Sequence, residues 1–239
     1  MASIKRIPIS MIVALVLAGL LSPASAQDDN VTIRPRSWDF GFLPQKSEVG
    51  QRFYLINTGS DSLPVDRIKA GCSCTSVSQI NHPIAPGDSA AIDILFKSGR
   101  YHKRTKKATQ IFISESQQQI YSIWLKAYVY KKKESPENIS ITPQKLQWEV
   151  KDGKISDSST TLEFFNSGPD TLKVVVLHSS GELVQSIDLP RDIVHDAKEE
   201  LLINATALPV DKDFKGGSIT FGFIGADTTI VTVPIELEK

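Results

Sequence analysis

The chain has 239 residues, of which 41% are hydrophobic, 23% charged and 8% aromatic, and its formal net charge is zero. That composition is too apolar and too weakly charged for a disordered chain, and the charge balance argues against wholesale nucleic-acid binding. The 2 cysteines exclude a disulfide framework and a four-thiolate zinc site.

The first predicted element is an export signal. Lys5 and Arg6 precede the apolar run IPISMIVALVLAGLL. The run is shorter than the ~20 residues a bilayer-spanning helix needs. Ala24-Ser25-Ala26 fits the small-x-small pattern of signal-peptide cleavage. Residues 1–26 are therefore expected to be a signal peptide cleaved after about Ala26, leaving a periplasmic or secreted protein. No later apolar stretch is long enough to span a membrane. The mature chain enters an oxidising compartment, where thiols tend to pair.

From Trp38 onward one pattern occurs twice. FYLINTGSDSLPVDRI from Phe53 matches LEFFNSGPDTLKVVVL from Leu162. Asn57, Gly59, Asp61 and Leu63 recur at Asn166, Gly168, Asp170 and Leu172, an offset of 109 residues, and Trp38 recurs as Trp148. Copies of this size read as two tandem domains rather than a solenoid. The Asn side chain is expected to cap the chain reversal, with Gly supplying backbone freedom.

Behind Gly71 the first copy carries Cys72-Ser73-Cys74. On a regular strand the two would stand about 6.5–7 Å apart on one face, so a disulfide requires a local kink. Closing so short a loop contributes only about 1.6 kcal/mol in the chain-entropy model. Three readings stay open: structural thiols or a local disulfide, a redox-active pair, and a soft-metal site for copper at Cys72 and Cys74. A thioredoxin-type site is not indicated, because C-x-C is not C-x-x-C and no helix start is predicted there.

AAIDILF alternates with period two, as does IYSIWLKAYVY, which places Tyr121, Ile123, Leu125, Ala127 and Val129 on one face. This is the pattern of antiparallel strands with one face on a core. Between them lies KSGRYHKRTKK, whose Arg100, Lys103, Arg104, Lys106 and Lys107 form a candidate surface for an anionic partner. The competing reading is a solvated hairpin whose charges protect a sheet edge. Residues 27–135 hold 16 Lys/Arg against 10 Asp/Glu, net +6, and residues 136–239 hold 9 against 17, net −8.

The polar run KKKESPEN, residues 131–138, reads as a linker between domains at 27–133 and 134–239. In the second copy, LPRDIVHDAKEELL is the one stretch that could be helical, and no cysteine pair or Pro-Gly turn is present. About seven short strands per copy, with turn signals every 8–15 residues, predict an all-β fold of two tandem immunoglobulin-like antiparallel sandwiches.

His82, His102, His178 and His195 are scattered, none at metal-ligand spacing, and each is expected to be an ordinary surface residue. There is no nucleophile elbow, P-loop, G-x-G-x-x-G or H-E-x-x-H, so nothing asks for an enzyme.

The first copy reads WDFGF, then NTG, then CSCT, then PGD, then a closing strand pair ending YSIWLKAYV. Over roughly residues 36–130 this order resembles the bacterial family called domain of unknown function 1573. That family is related to hydin-like and abnormal-spindle-type immunoglobulin modules. The resemblance implies a β-sandwich and an exported location, and it supplies no established activity. The expected function is a non-enzymatic binding or scaffolding protein of the cell envelope, acting through sandwich edges and loops on an envelope protein or anionic surface. The alternatives are a thiol-redox or copper-binding protein using Cys72 and Cys74, and a two-domain periplasmic chaperone-like protein. Oligomeric state is not legible in the sequence.

Overall fold

Among the described residues period-two patterning becomes strand, and no helix occurs. The computed structural model describes residues 30–238 apart from 117, 132–133, 135, 137, 157–158, 181–182, 191 and 207–215. The expected signal peptide, and Lys132 and Lys133 of the expected linker, lie outside the described residues.

The first copy forms β1 (Val31–Arg34), β2 (Ser37–Pro44), β3 (Glu48–Asn57), β4 (Arg67–Ala70), β5 (Thr75–Val77), β6 (Ser89–Lys97), β7 (Lys103–Phe112) and β8 (Ile120–Tyr130). They make two sheets, β1-β3-β6-β5 and β2-β8-β7-β4. Phe53 and Ile94 from one sheet and Ile111 and Ile123 from the other share a core.

The second copy forms β9 (Ile139–Thr142), β10 (Leu146–Lys151), β11 (Lys154–Ile155), β12 (Ser159–Asn166), β13 (Lys173–Ser179), β14 (Val184–Asp188), β15 (Lys198–Ala205), β16 (Ser218–Ile224) and β17 (Thr228–Glu238). Its sheets repeat the same order as β9-β12-β15-β14 and β10-β17-β16-β13, with β11 folding back on β10. Trp148, Phe164 and Phe221 lie at the centre of a separate core. The fold is thus all-β, built from two immunoglobulin-like sandwiches.

The repeat is explicit at the buried asparagines. Asn57 Nδ2 donates to Asp61 O at 2.7 Å and Ile84 O at 2.9 Å, while Asn57 Oδ1 accepts from Gly59 N at 3.0 Å. Asn166 makes the same three bonds to Asp170 O, Ile193 O and Gly168 N, at 2.7, 3.0 and 3.0 Å. Each side chain ties a strand end to the segment that crosses it, so the turn has no orphaned polar group.

Two expectations need correction. The possible helix is absent, because that stretch forms a turn and then β15. The missing Pro-Gly turn is nevertheless built. Gly87 N donates to Asn57 O and Asp196 N to Asn166 O, at 2.9 and 2.8 Å. Gly87 has φ 75° and Asp196 has φ 56°. Aspartate is among the few side chains that tolerate this region, so it can stand in for glycine.

Antiparallel pairing is not universal either. β2 runs parallel to β8, and β10 parallel to β17. β2 also meets β17 in parallel at Phe42↔Val231, so one sheet runs through both sandwiches. The local cause is a bulge: the β2–β8 register slips between Asp39 and Phe42, and Gly41 takes φ 60°. Asp39 Oδ1 accepts from Gly41 N at 2.8 Å, and Thr232 Oγ1 donates to Phe40 O at 2.6 Å. A Cβ on Gly41 would land on the Ile230 carbonyl, so this approach needs glycine. Past the bulge, Phe42 still pairs with Tyr128 of β8 while its ring also packs on the core of the second sandwich.

The seam also places Trp38 beside His178, ring centroids 5.5 Å apart. His178 is half-buried rather than a surface residue, and burial holds its imidazole below the usual range.

Candidate functional site

Strand alternation decides which charges meet. On β7, Thr109 and Ile111 point into the core, so Arg104, Lys106, Ala108, Gln110 and Phe112 point outward. Cross-strand pairing sets Arg104 opposite Tyr128, Lys106 opposite Lys126 and Ala108 opposite Trp124. On the other flank, Arg67 stands opposite Phe112 and Lys69 opposite Gln110. The outer face of the β2-β8-β7-β4 sheet therefore carries five cations interleaved with aromatic rings.

Aromatic rings hold two of these cations in place. Lys106 Nζ lies 3.9 Å from the Trp124 ring centroid, and the Arg67 guanidinium 4.3 Å from that of Phe112. Such contacts contribute roughly 0.5–1 kcal/mol each at exposed sites. Trp124 remains 37% exposed, enough to present a ring face or edge to a ligand. Asp39 lies across from Lys126 and already accepts from Gly41 N. Where the face meets the second sandwich, Phe42, Arg104, Lys106, Lys126, Tyr128 and Ile230 line an open groove of about 520 Å³.

The expected basic cluster is divided by this geometry. Arg104 and Lys106 lie on the face. Lys107 pairs with Leu125 on the opposite register and sets its Nζ 4.0 Å over the Tyr101 ring. Lys103 opens β7 at φ 68°, and Arg100 lies in the turn before it, where its carbonyl is 3.3 Å from Gln45 Nε2. Sequence proximity suggested one patch because consecutive residues were counted together. Arg67, Lys69, Lys126, Trp124 and Phe112 were missed because they arrive from other strands. Alternation applied to KRTKK would have separated Arg104 and Lys106 from the rest.

Cys72 and Cys74 lie in the crossover from β4 to β5, joined as a disulfide with Cα atoms 5.2 Å apart. With the sulfurs bonded to each other they offer no thiolate to copper. No group of three or more His, Cys, Asp or Glu able to hold a metal occurs among the described residues. The β4 edge beside the crossover is closed by a side chain. Gln79 Oε1 accepts from Ile68 N at 3.0 Å, and Gln79 Nε2 donates to Ile68 O at 2.9 Å. That amide occupies the ladder positions another strand would use.

Residues 31–129, the span of the first sandwich, match the model of the family described as a protein of unknown function, DUF1573. No curated protein matches the chain. Among solved structures, a protein of unknown function from Porphyromonas gingivalis W83 is similar at 13% identity and a TM-score of 0.35, covering 87% of this chain and 100% of that one. The E. coli chaperone DraB is similar at 12% identity and a TM-score of 0.32, covering 88% and 97%. The secreted serine protease VesC from Vibrio cholerae is similar at 9% identity and a TM-score of 0.39; 89% of this chain spans about half, 52%, of that protein.

Proposed function

We propose that this is an exported, non-enzymatic binding protein of the cell envelope. In this reading it comprises two domains, residues 27–133 and 134–239, and the outer face of the β2-β8-β7-β4 sheet receives an anionic partner. The observation that carries the reading is Lys106 set directly opposite Lys126, with Arg104, Lys69 and Arg67 on the same face. Like charges opposite each other on a sheet destabilise it, so folding alone gives no reason to gather them. Exposed Trp124 and the groove beside Tyr128 add contact area that charge alone lacks.

The test separates binding from stability. Lys126→Gln removes the like-charge pair without setting a second carboxylate opposite Asp39, so the variant is expected to melt close to the parent temperature. It should also retain less material when immobilised and exposed to native envelope extract at low salt. Retained proteins and glycans are identified by mass spectrometry. An unchanged retained set at low salt, where exposed charges are least screened, overturns the assignment.

A further inference from the structure

We propose that Cys72 and Cys74 form a reversible dithiol/disulfide site that exchanges with an external dithiol while the first sandwich stays folded. This does not depend on the basic face. Three structural facts carry it.

First, the turn is held by the backbone independently of the sulfurs. Gly71 N donates to Ala108 O at 2.9 Å, Thr75 N to Cys72 O at 3.2 Å and Lys97 N to Cys74 O at 2.8 Å. These bonds remain after reduction, so the two thiols stay adjacent.

Second, the protein contains its own control. In the second sandwich the exit from β13 is held in the same way, with Ser180 N donating to Ser218 O at 3.0 Å as Gly71 N donates to Ala108 O, and Leu183 N donates to Ser180 O at 2.8 Å just before β14. Val184 opposite Ala205 on β15 repeats Thr75 opposite Phe96 on β6, and both residues are buried. The exit from one strand and the entry to the next are thus made twice, once without sulfur, so the bridge is not needed to build them.

Third, the bridge is placed for chemistry. It encloses one residue, exposed Ser73, and both cysteines are half-buried, Cys74 with one side against the first core. So short a loop stabilises the fold least of any, and the fold stabilises the bridge equally little. Accessible disulfides with little folding support are the reducible ones. Thr75 Oγ1 lies 3.4 Å from Cys72 Sγ and 3.7 Å from Cys74 Sγ, where its hydroxyl can donate to a thiolate. Cys72 is the better supported of the two.

The exchange balances as a two-electron, two-proton transfer. A thiolate of the external dithiol attacks Cys74 Sγ, the Cys72–Cys74 bond breaks, and Cys72 leaves as a thiolate that takes a proton. The second thiol of the reductant then attacks the mixed disulfide, releasing Cys74 as a thiol and closing the reductant's own disulfide.

The test uses the full mature chain and dithiothreitol at pH 7, with maleimide to count thiols. Labelling of both cysteines is expected without denaturant, with the far-ultraviolet circular dichroism spectrum unchanged. In single-cysteine variants, Cys72 of Cys74→Ser should be alkylated at lower pH than Cys74 of Cys72→Ser, and Thr75→Val should remove most of that difference. Labelling only in denaturant, or loss of the sheet spectrum on reduction, overturns the proposal. Indistinguishable pH profiles for the two single-cysteine variants overturn the Cys72 assignment.

Discussion

Replacing Asn57 with alanine tests how the repeat is held together. The substitution deletes three hydrogen bonds at a side chain only 1% exposed. Each bond is worth about 1 kcal/mol net, and an orphaned buried partner would add about 1–3 kcal/mol. The partners are not all orphaned. Ile84 O still accepts from Leu63 N at 2.9 Å, and Asp61 is exposed, so water can replace the lost donor there. The expected cost is therefore about 3 kcal/mol, the sum of three ordinary bonds. Asn166→Ala should cost at least as much: Ile193 O likewise keeps Leu172 N at 2.9 Å, but the Gly168 N–H left without its acceptor is buried, where Gly59 N is only half-buried. Asn57→Asp should cost more than alanine, since it turns a carboxylate oxygen toward two carbonyl oxygens. Urea unfolding followed by circular dichroism reads all three values. A cost below about 1 kcal/mol for either alanine variant, or a cost at Asn57 exceeding that at Asn166 by more than about 1 kcal/mol, would refute the reasoning.

Three further outcomes are expected. Asp196→Gly relieves a non-glycine residue at φ 56° and should raise stability by about 0.5–1 kcal/mol in the same assay, whereas Gly87→Ala at φ 75° should lower it. Because burial depresses the His178 imidazole, the unfolded chain binds protons that the folded one refuses. Stability should then be full above pH ~6.5 and fall as pH drops toward the folded-state value, and His178→Gln should flatten that part of the melting-temperature profile. Phe42→Ala empties a position against the second core and should cost about 2 kcal/mol. In that variant, calorimetry should resolve two transitions in place of one broader coupled event; a single unshifted transition would contradict the seam.

Legibility followed the range of the physics. The Asn57 and Asn166 turns were readable because their partners lie within 27 residues and their chemistry is local. Alternation in β6 and β8 was readable because one face is buried. Parallel pairing of β2 with β8 was not, since it joins strands some 90 residues apart through backbone groups that every residue carries. The Gly41 bulge looked like an ordinary family motif, and only the approach of Ile230 shows why glycine stands there. The basic face was half-legible: its charges were counted along the chain, whereas the sheet collects them across three strands.

The joint between the sandwiches also gives the molecule a direction and a stop. The first copy extends a bulged strand whose Phe42 plugs into its neighbour. At the matching place after Trp148, the second copy instead turns back through Asp152 and Gly153, at φ 51° and 78°, and lays β11 along β10. The backbone that would seat a further module by the same joint is already hydrogen-bonded to its own chain. Two units of the same strand order therefore differ as a plug differs from a cap, and the pair cannot be lengthened past β10 into a filament by repeating the contact that made it.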